Sequence, residues 1–215
     1  RVCALRGVWP RATVGAKCFG CAVRPALPVR KFKEYSKSAG RTTPPEPYAS
    51  GGNGSQHHLS LELLKQRAGI DLLHVPFKGG APATLATVAG DTVAMFAGTS
   101  TATQIKAGKL RALAVTGARR SPEYPDLPTI GEFYPGYEVT IWLALFAPAG
   151  TPEPVLSLLR AAVARALAAP EVKEKLNSAG GVETFTTTPE EFAALIRSDY
   201  DKYGKIVKTT GIKLD

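Results

Sequence analysis

Beyond Cys21 the chain has no cysteine. The three it contains, Cys3, Cys18 and Cys21, all fall in its N-terminal stretch. Cys18-Phe19-Gly20-Cys21 is a C-x-x-C, which by itself is open to a redox or a half-zinc reading. With no second cysteine pair, and no βαβ pattern around the first, the simpler reading is incidental thiols. A cysteine-free body from Ala22 onward is compatible with export. Nor is there an apolar run of about 18 residues, which excludes a helical membrane span. The start at Arg1 shows no signal-peptide pattern. The turn Ser50–Ser55 lacks the Gly-Lys-Ser/Thr ending of a phosphate loop and the G-x-G-x-x-G of a dinucleotide fingerprint. Ser100 has no His–Asp partner near it in sequence, so a nucleophile there would lack a base.

Acidic residues are scarce only at one end. The formal charge is +9. From Arg1 to Glu46 there are ten Lys/Arg against two Asp/Glu, and from Pro47 to Asp215 seventeen against sixteen. The body is therefore nearly neutral and carries no basic stripe interleaved with aromatic residues, which argues against a nucleic-acid footprint. With 215 residues, 44% of them apolar, the chain suffices for one large domain or two small lobes.

Short apolar runs alternate with helical periodicity, which predicts an α/β fold with a parallel-type sheet. Arg1–Gly20 shows neither period and is expected to contribute little to a core. Residues 30–38 form a short helix, and Gly40–Pro47 reads as a proline loop. A glycine turn then opens a helix with Leu59, Leu63 and Leu64 on one face, closed by Gly69. Strands are expected at Asp71–Val75, Thr92–Ala97, Leu110–Thr116 and Val139–Ala147. Helices are expected at Ala81–Ala89, from Gly98-Thr99-Ser100 to Gly108, and from Pro152, the last with Val155, Leu158, Leu159, Ala162, Val163 and Leu167 on its inner side. Pro170–Ser178 is a further helix. Thr188-Pro189-Glu190-Glu191 is a capping box opening the final one.

The densest signal is Ser50–Ala81. Two helix starts lie close in sequence, each fronted by glycines. Their first-turn N–H groups lack helical partners and their dipoles favour negative charge. Anion binding and a purely structural turn both remain open for Gly52-Asn53-Gly54-Ser55. His57 and His58 are adjacent, so at most one is expected to face the turn. With His74 on a strand, they fit hydrogen bonding to a ligand carboxylate or to backbone better than a metal site, which needs more converging ligands. Lys78, between Phe77 and Gly79, either pairs with a ligand anion or is a solvated lysine. No catalytic constellation, cofactor site or metal site is expected.

The segments YASGGNGSQHHL, HVPFKGGAPA, IKAGKLRALAVT, LPTIGEFYPGYE, LFAPAGTP and TPEEFAALI occur in order. Together they resemble the Bug receptors, the extracytoplasmic solute-binding proteins of tripartite tricarboxylate transporters, from about Pro25 to Asp215. The resemblance implies an α/β, type II periplasmic-binding-protein-like fold of two lobes closing on a small carboxylate, with no turnover. It implies residues 28–116 as a nearly complete second lobe and 117–215 as the C-terminal half of the first. Residues 1–27 then stand as an atypical basic stretch where the family has a longer N-terminal part. The first lobe is thus expected to be incomplete, and the chain as given to bind carboxylates poorly. The ligand-binding residues implied are Gly52, Asn53, Gly54, Ser55, His58, His74, Phe77, Lys78, Gly79, Gly80, Ala81 and Thr99, with carboxylate oxygens held largely by backbone N–H groups and water. Family members often carry Asp-Asn where Ala97-Gly98 stands here, which bears on ligand identity. The partners implied are a di- or tricarboxylate, an amino acid or an aromatic acid, and membrane transporter subunits; the location implied is the periplasm. The alternatives are a ligand-sensing receptor feeding a two-component system, and an α/β enzyme using Ser55 or Ser100 with a histidine.

Overall fold

The computed structural model describes residues 8–122, 124–180 and 182–212; for residues 8–12, 97, 99, 100, 179 and 180 the description is of the backbone alone. In chain order the elements are β1 (Val8–Cys18), β2 (Gly20–Val23), α1 (Phe32–Ser38), β3 (Pro47–Ser50), α2 (Gln56–Ala68), β4 (Leu73–Pro76), α3 (Gly80–Ala89), β5 (Ala94–Ala97), α4 (Thr99–Lys106) and β6 (Arg111–Val115). A 3-10 turn (Ile130–Glu132) precedes β7 (Thr140–Pro148), α5 (Glu153–Ala168), α6 (Pro170–Gly180), β8 (Glu183–Thr184) and α7 (Pro189–Thr210). By its contacts the chain divides into two units. One holds Arg1–Lys17 and Ile141–Lys202; the other holds Cys18–Thr140 and Tyr203–Asp215.

The larger unit is built on a five-stranded sheet of order β4-β3-β5-β2-β6. β3 runs parallel to both β4 and β5, as the alternation of strand and helix requires. The sheet is mixed, though, where a parallel type was expected. β2 inserts antiparallel between β5 and β6, pairing Cys21 with Phe96 on one side and Ala114 on the other. A central strand of four residues, GCAV, buries Cys21, Ala22 and Val23 because both faces of the sheet are covered. Ala22, Ala49, Ala83 and Met95 form a tight cluster in which the small side chains let α3 approach the sheet, and Phe77 and Ile105 pack on its rim. Burial pushes the Cys21 thiol well above its ordinary range, so it stays protonated and unreactive.

The smaller unit has a three-stranded sheet of order β7-β1-β8. Its core is aromatic: Phe192 of α7 meets Trp142 edge-on at 5.2 Å and Phe146 at 5.6 Å, and the Trp142 indole N–H donates to Asp199 at 2.9 Å. The predicted capping box is formed, Glu191 N–H donating to Thr188 Oγ1 at 3.2 Å and Thr188 N–H to Glu191 Oε2 at 2.8 Å.

One further expectation needs correction. The stretch 8–20 is structured: it supplies β1, the middle strand of the smaller sheet, and contributes buried Thr13 and Phe19. Its period is hidden because Gly15 stands where a Cβ would come within 2.6 Å of the Glu183 carbonyl oxygen, a demand set by a distant strand. On α5 the buried residues are Leu156 and Leu167, whereas Val155, Leu158 and Leu159 of its apolar side are exposed. Among the described residues no helix is long and apolar enough to cross a membrane.

Candidate functional site

Three neighbouring parallel strands, β4, β3 and β5, end at the same edge of the larger sheet, and each is followed by a helix, α3, α2 and α4 respectively. Parallel order alone therefore places three helix N-termini along one edge, where open α/β sheets place their ligands. The β3 and β4 turns are locked together: Phe77 N–H donates to the Ser50 carbonyl at 3.0 Å, and a Cβ on Gly51 would lie 3.4 Å from the Gly79 carbonyl carbon. Gly52 (φ 124°), Gly54 (φ 68°) and Gly79 (φ 111°) take backbone angles that side-chain-bearing residues rarely adopt.

The electrostatics of this edge differ from those of the other helices. α1, α5, α6 and α7 each carry a Glu in the first turn, which uses up their own dipole. α2, α3 and α4 carry no acid there. Within α2, Ser55 caps the helix, its Oγ accepting from His58 N–H at 3.3 Å. α3 has no side-chain cap, and Pro82 in its first turn has no N–H; Gly80 and Ala81 are left as its leading donors.

Of the expected site residues, Gly52, Asn53, Gly54 and Ser55 form the first turn, and Phe77, Lys78, Gly79, Gly80 and Ala81 lie at the second. Phe77 turns its ring toward the alanine–methionine cluster, and Lys78 is exposed. Thr99 opens α4, and its side chain is outside the description. Both adjacent histidines reach the glycine turn, where at most one was expected to. His57 lies against Gly51, where an added Cβ would come within 2.9 Å of its Nδ1, and it packs on Phe19 at 4.7 Å. His58 Nδ1 accepts the Gly54 N–H at 3.2 Å. The turn curls back over the first turn of α2, so residues one step apart on the helix both touch it.

Beneath the turn lies a group that sequence reasoning missed. The rings of His58 and His74 stack at 3.6 Å and 16°, with Tyr48 behind His74 at 5.0 Å. Ser50 Oγ sits 2.6 Å from His74 Nε2 and accepts the Gly52 N–H at 3.1 Å. Burial, then the neighbouring His58 and Lys65, hold His74 down to about 4. His58 is also lowered, burial outweighing the Glu62 carboxylate that opposes it. Because Tyr48 and His74 pair in register on β3 and β4, one strand pairing stacks them.

Residues 4–212 match the family described as "Tripartite tricarboxylate transporter family receptor", and the chain belongs to that family. It is similar to three solved structures. R. palustris Rpa4515 with adipate superposes with a TM-score of 0.87 at 29% identity, over 98% of this chain and 71% of that one. The periplasmic binding protein BugD gives 0.82 at 31% identity, over 96% and 70%. MatC (Rpa3494) from Rhodopseudomonas palustris with bound malate gives 0.78 at 29% identity, over 93% and 69%. The fold is thus α/β of the type II periplasmic-binding-protein kind. A 41%-identical relative from Pseudomonas sp. (strain P51) matches 74% of this chain, which spans 48% of that relative's length.

Proposed function

We propose that this chain is the carboxylate-capturing part of a periplasmic solute-binding receptor that delivers a small organic acid to the membrane subunits of a tripartite tricarboxylate transporter. The observation that carries this reading is the set of three acid-free helix starts on one sheet edge. Unneutralised N–H groups and dipole ends there favour an oxyanion without needing a cationic side chain. The ligand residues on this reading are Gly52, Asn53, Gly54, Ser55, Phe77, Lys78, Gly79, Gly80, Ala81 and Thr99, with His58 and His74 beneath the first turn. Family membership, and adipate and malate in two similar structures, support a dicarboxylate.

Holding without turnover is the reading favoured over an enzyme. The Ser50–His74 pair resembles half of a nucleophile–base arrangement, but Ser50 is fully buried and its Oγ is already tied to the turn. Ser55 is committed as a helix cap.

Thermal-shift and calorimetric screening with dicarboxylates, tricarboxylates, amino acids and aromatic acids tests the reading. It is applied to this chain and to a version extended at its N-terminus by the segment its longer relatives carry. The extended protein is expected to bind a dicarboxylate saturably and the chain by itself to bind weakly. If neither protein responds to any carboxylate, the reading is wrong. Turnover of a bound acid would replace it with the enzyme reading.

A further inference from the structure

Two facts about the histidine pair stand apart from a ligand-contact role. His58 is only 5% exposed, and its Nδ1 is occupied by a backbone N–H of the turn. His74 reaches the same turn indirectly, through a Ser50 hydroxyl that also takes the Gly52 N–H. The turn that fronts α2 is therefore tied at its second and fourth residues, once to each ring.

We propose that the stacked His58–His74 pair is a positioning device for the anion-holding turn. As neutral rings they fix the Gly51–Gly54 backbone through the Gly54 N–H and the Ser50 hydroxyl, and so set where the donors at the start of α2 point. This rests on the reading above that the anion sits at that turn.

The surroundings require neutrality. Nδ1 of His58 accepts a hydrogen bond, so its proton is on Nε2, which lies 4.0 Å from Glu62 Oε1. Protonating Nδ1 would set two donors, His58 and Gly54, against each other and release the turn. The charged and polar groups facing the pair come from three elements. From α2 there are Glu62 and Lys65, whose Nζ and Oε1 are 3.1 Å apart. From β3 there are Tyr48, whose hydroxyl donates to Glu62 at 2.8 Å, and Ser50. From β4 there is His74 itself. Glu62 is thus already shared between Lys65 and Tyr48, and a second proton in a stack at 3.6 Å would place two cations face to face. For His74, either Oγ–H donates to Nε2, or Nε2–H donates to Oγ while the hydroxyl goes to the Gly52 carbonyl at 3.1 Å; both tautomers keep the link.

Gly52 and Gly54 then serve the site through the close approach their backbone allows, not through their own N–H groups. Both donors are spent inside the protein. What the turn offers is a rigid frame for the first-turn donors of α2 next to Gly80 and Ala81 of α3.

The test compares the wild type with His58→Asn and His58→Leu, reading backbone amide exchange of Gly54 by NMR in this chain without ligand and adipate affinity by calorimetry in the N-terminally extended protein. Asn places an acceptor oxygen near the position of Nδ1 and does not titrate, whereas Leu removes the acceptor. His58→Leu is expected to speed Gly54 exchange about tenfold and to weaken adipate binding by a similar factor, and His58→Asn to stay within about threefold in both. On lowering the pH toward 4, the Gly54 protection factor should fall in the wild type and stay flat in His58→Asn. Unchanged Gly54 protection in His58→Leu overturns the proposal. So does a His58→Asn protein that keeps protection yet loses adipate as fully as Leu does, because His58 would then touch the ligand. If even the N-terminally extended wild type binds neither adipate nor any other carboxylate, the exchange arm still decides the positioning role, and it is the carboxylate reading that fails.

Discussion

The Glu62 carboxylate accepts the Tyr48 hydroxyl at 2.8 Å where both side chains are buried, and the same oxygen meets the Lys65 ammonium at 3.1 Å. Lys65 in turn donates to the Leu72 carbonyl at 3.0 Å, tying α2 to the start of β4. Replacing Glu62 by Ala strands a buried phenol and takes the nearer carboxylate from Lys65, which keeps the Leu72 carbonyl and Asp71. A loss of about 2–4 kcal/mol is expected. Tyr48→Phe leaves Glu62 its lysine and should cost only about 1 kcal/mol. Chemical denaturation of both variants checks the order, and equal losses would mean that the carboxylate is not the hub.

Stability should also depend on pH through the histidine pair. His74 is held down to about 4 and His58 is lowered as well, so the folded protein binds fewer protons than the unfolded chain, whose histidines titrate near 6.5. A depressed histidine contributes stability that is fully present above 6.5 and is lost as the pH falls from there toward 4. The melting temperature of the wild type should drop across that window. His58→Asn/His74→Asn should drop less, the difference between the two curves isolating the histidines from carboxylates that titrate lower. Parallel curves would show that the rings are not buried as neutral groups.

For ligand affinity, Gly54→Val is expected to be worse than Lys78→Ala in the N-terminally extended protein. Gly54 sits at φ 68°, so a branched side chain strains the turn. Lys78 is exposed, and a solvent-screened ion pair is typically worth about 0–1 kcal/mol. Calorimetric titration decides it; a larger loss for Lys78→Ala would put side-chain charge ahead of backbone geometry.

The turns of the candidate site were legible where their determinants are local. Glycines at 52, 54 and 79 announce turns of positive φ, and Gly69 and Gly90 close helices in the left-handed conformation. The Thr188–Glu191 capping box needs only four residues in a row. What stayed hidden depends on partners far along the chain. β1 is ordered by β7 and β8, and Gly15 makes sense only once Glu183 lies against it. β2 is too short to show a period and takes its direction from β5 and β6. The histidine stack exists because β3 and β4 pair in one register and α2 folds back over them; no spacing of 58 and 74 in the sequence conveys it. The apolar stripe of α5 was legible as well, and among the described residues Val155, Leu158 and Leu159 on it remain uncovered.

That uncovered stripe leads to a prediction about association. β7 is an edge strand of nine residues, TIWLALFAP, without a charge along it. Leu143 is 39% and Leu145 50% exposed, and on α5 Leu158 is 65% exposed. Soluble proteins usually blunt such edges with lysine, proline or a bulge, and here Pro148 stands only at the end. Among the described residues the backbone donors and acceptors on one side of β7 have no strand partner, and with apolar side chains beside them they favour pairing with other strands over remaining single. Light scattering on this chain should therefore show a mass that rises with protein concentration. Leu145→Lys on the strand and Leu158→Lys on the helix should each reduce it, the strand variant more, because it adds charge where two edges would meet. The core of the smaller unit, centred on Phe192, Trp142 and Phe146, is untouched by either change and should melt as before. A monodisperse monomer across the whole concentration range would show that the exposed edge is protected by something other than its sequence.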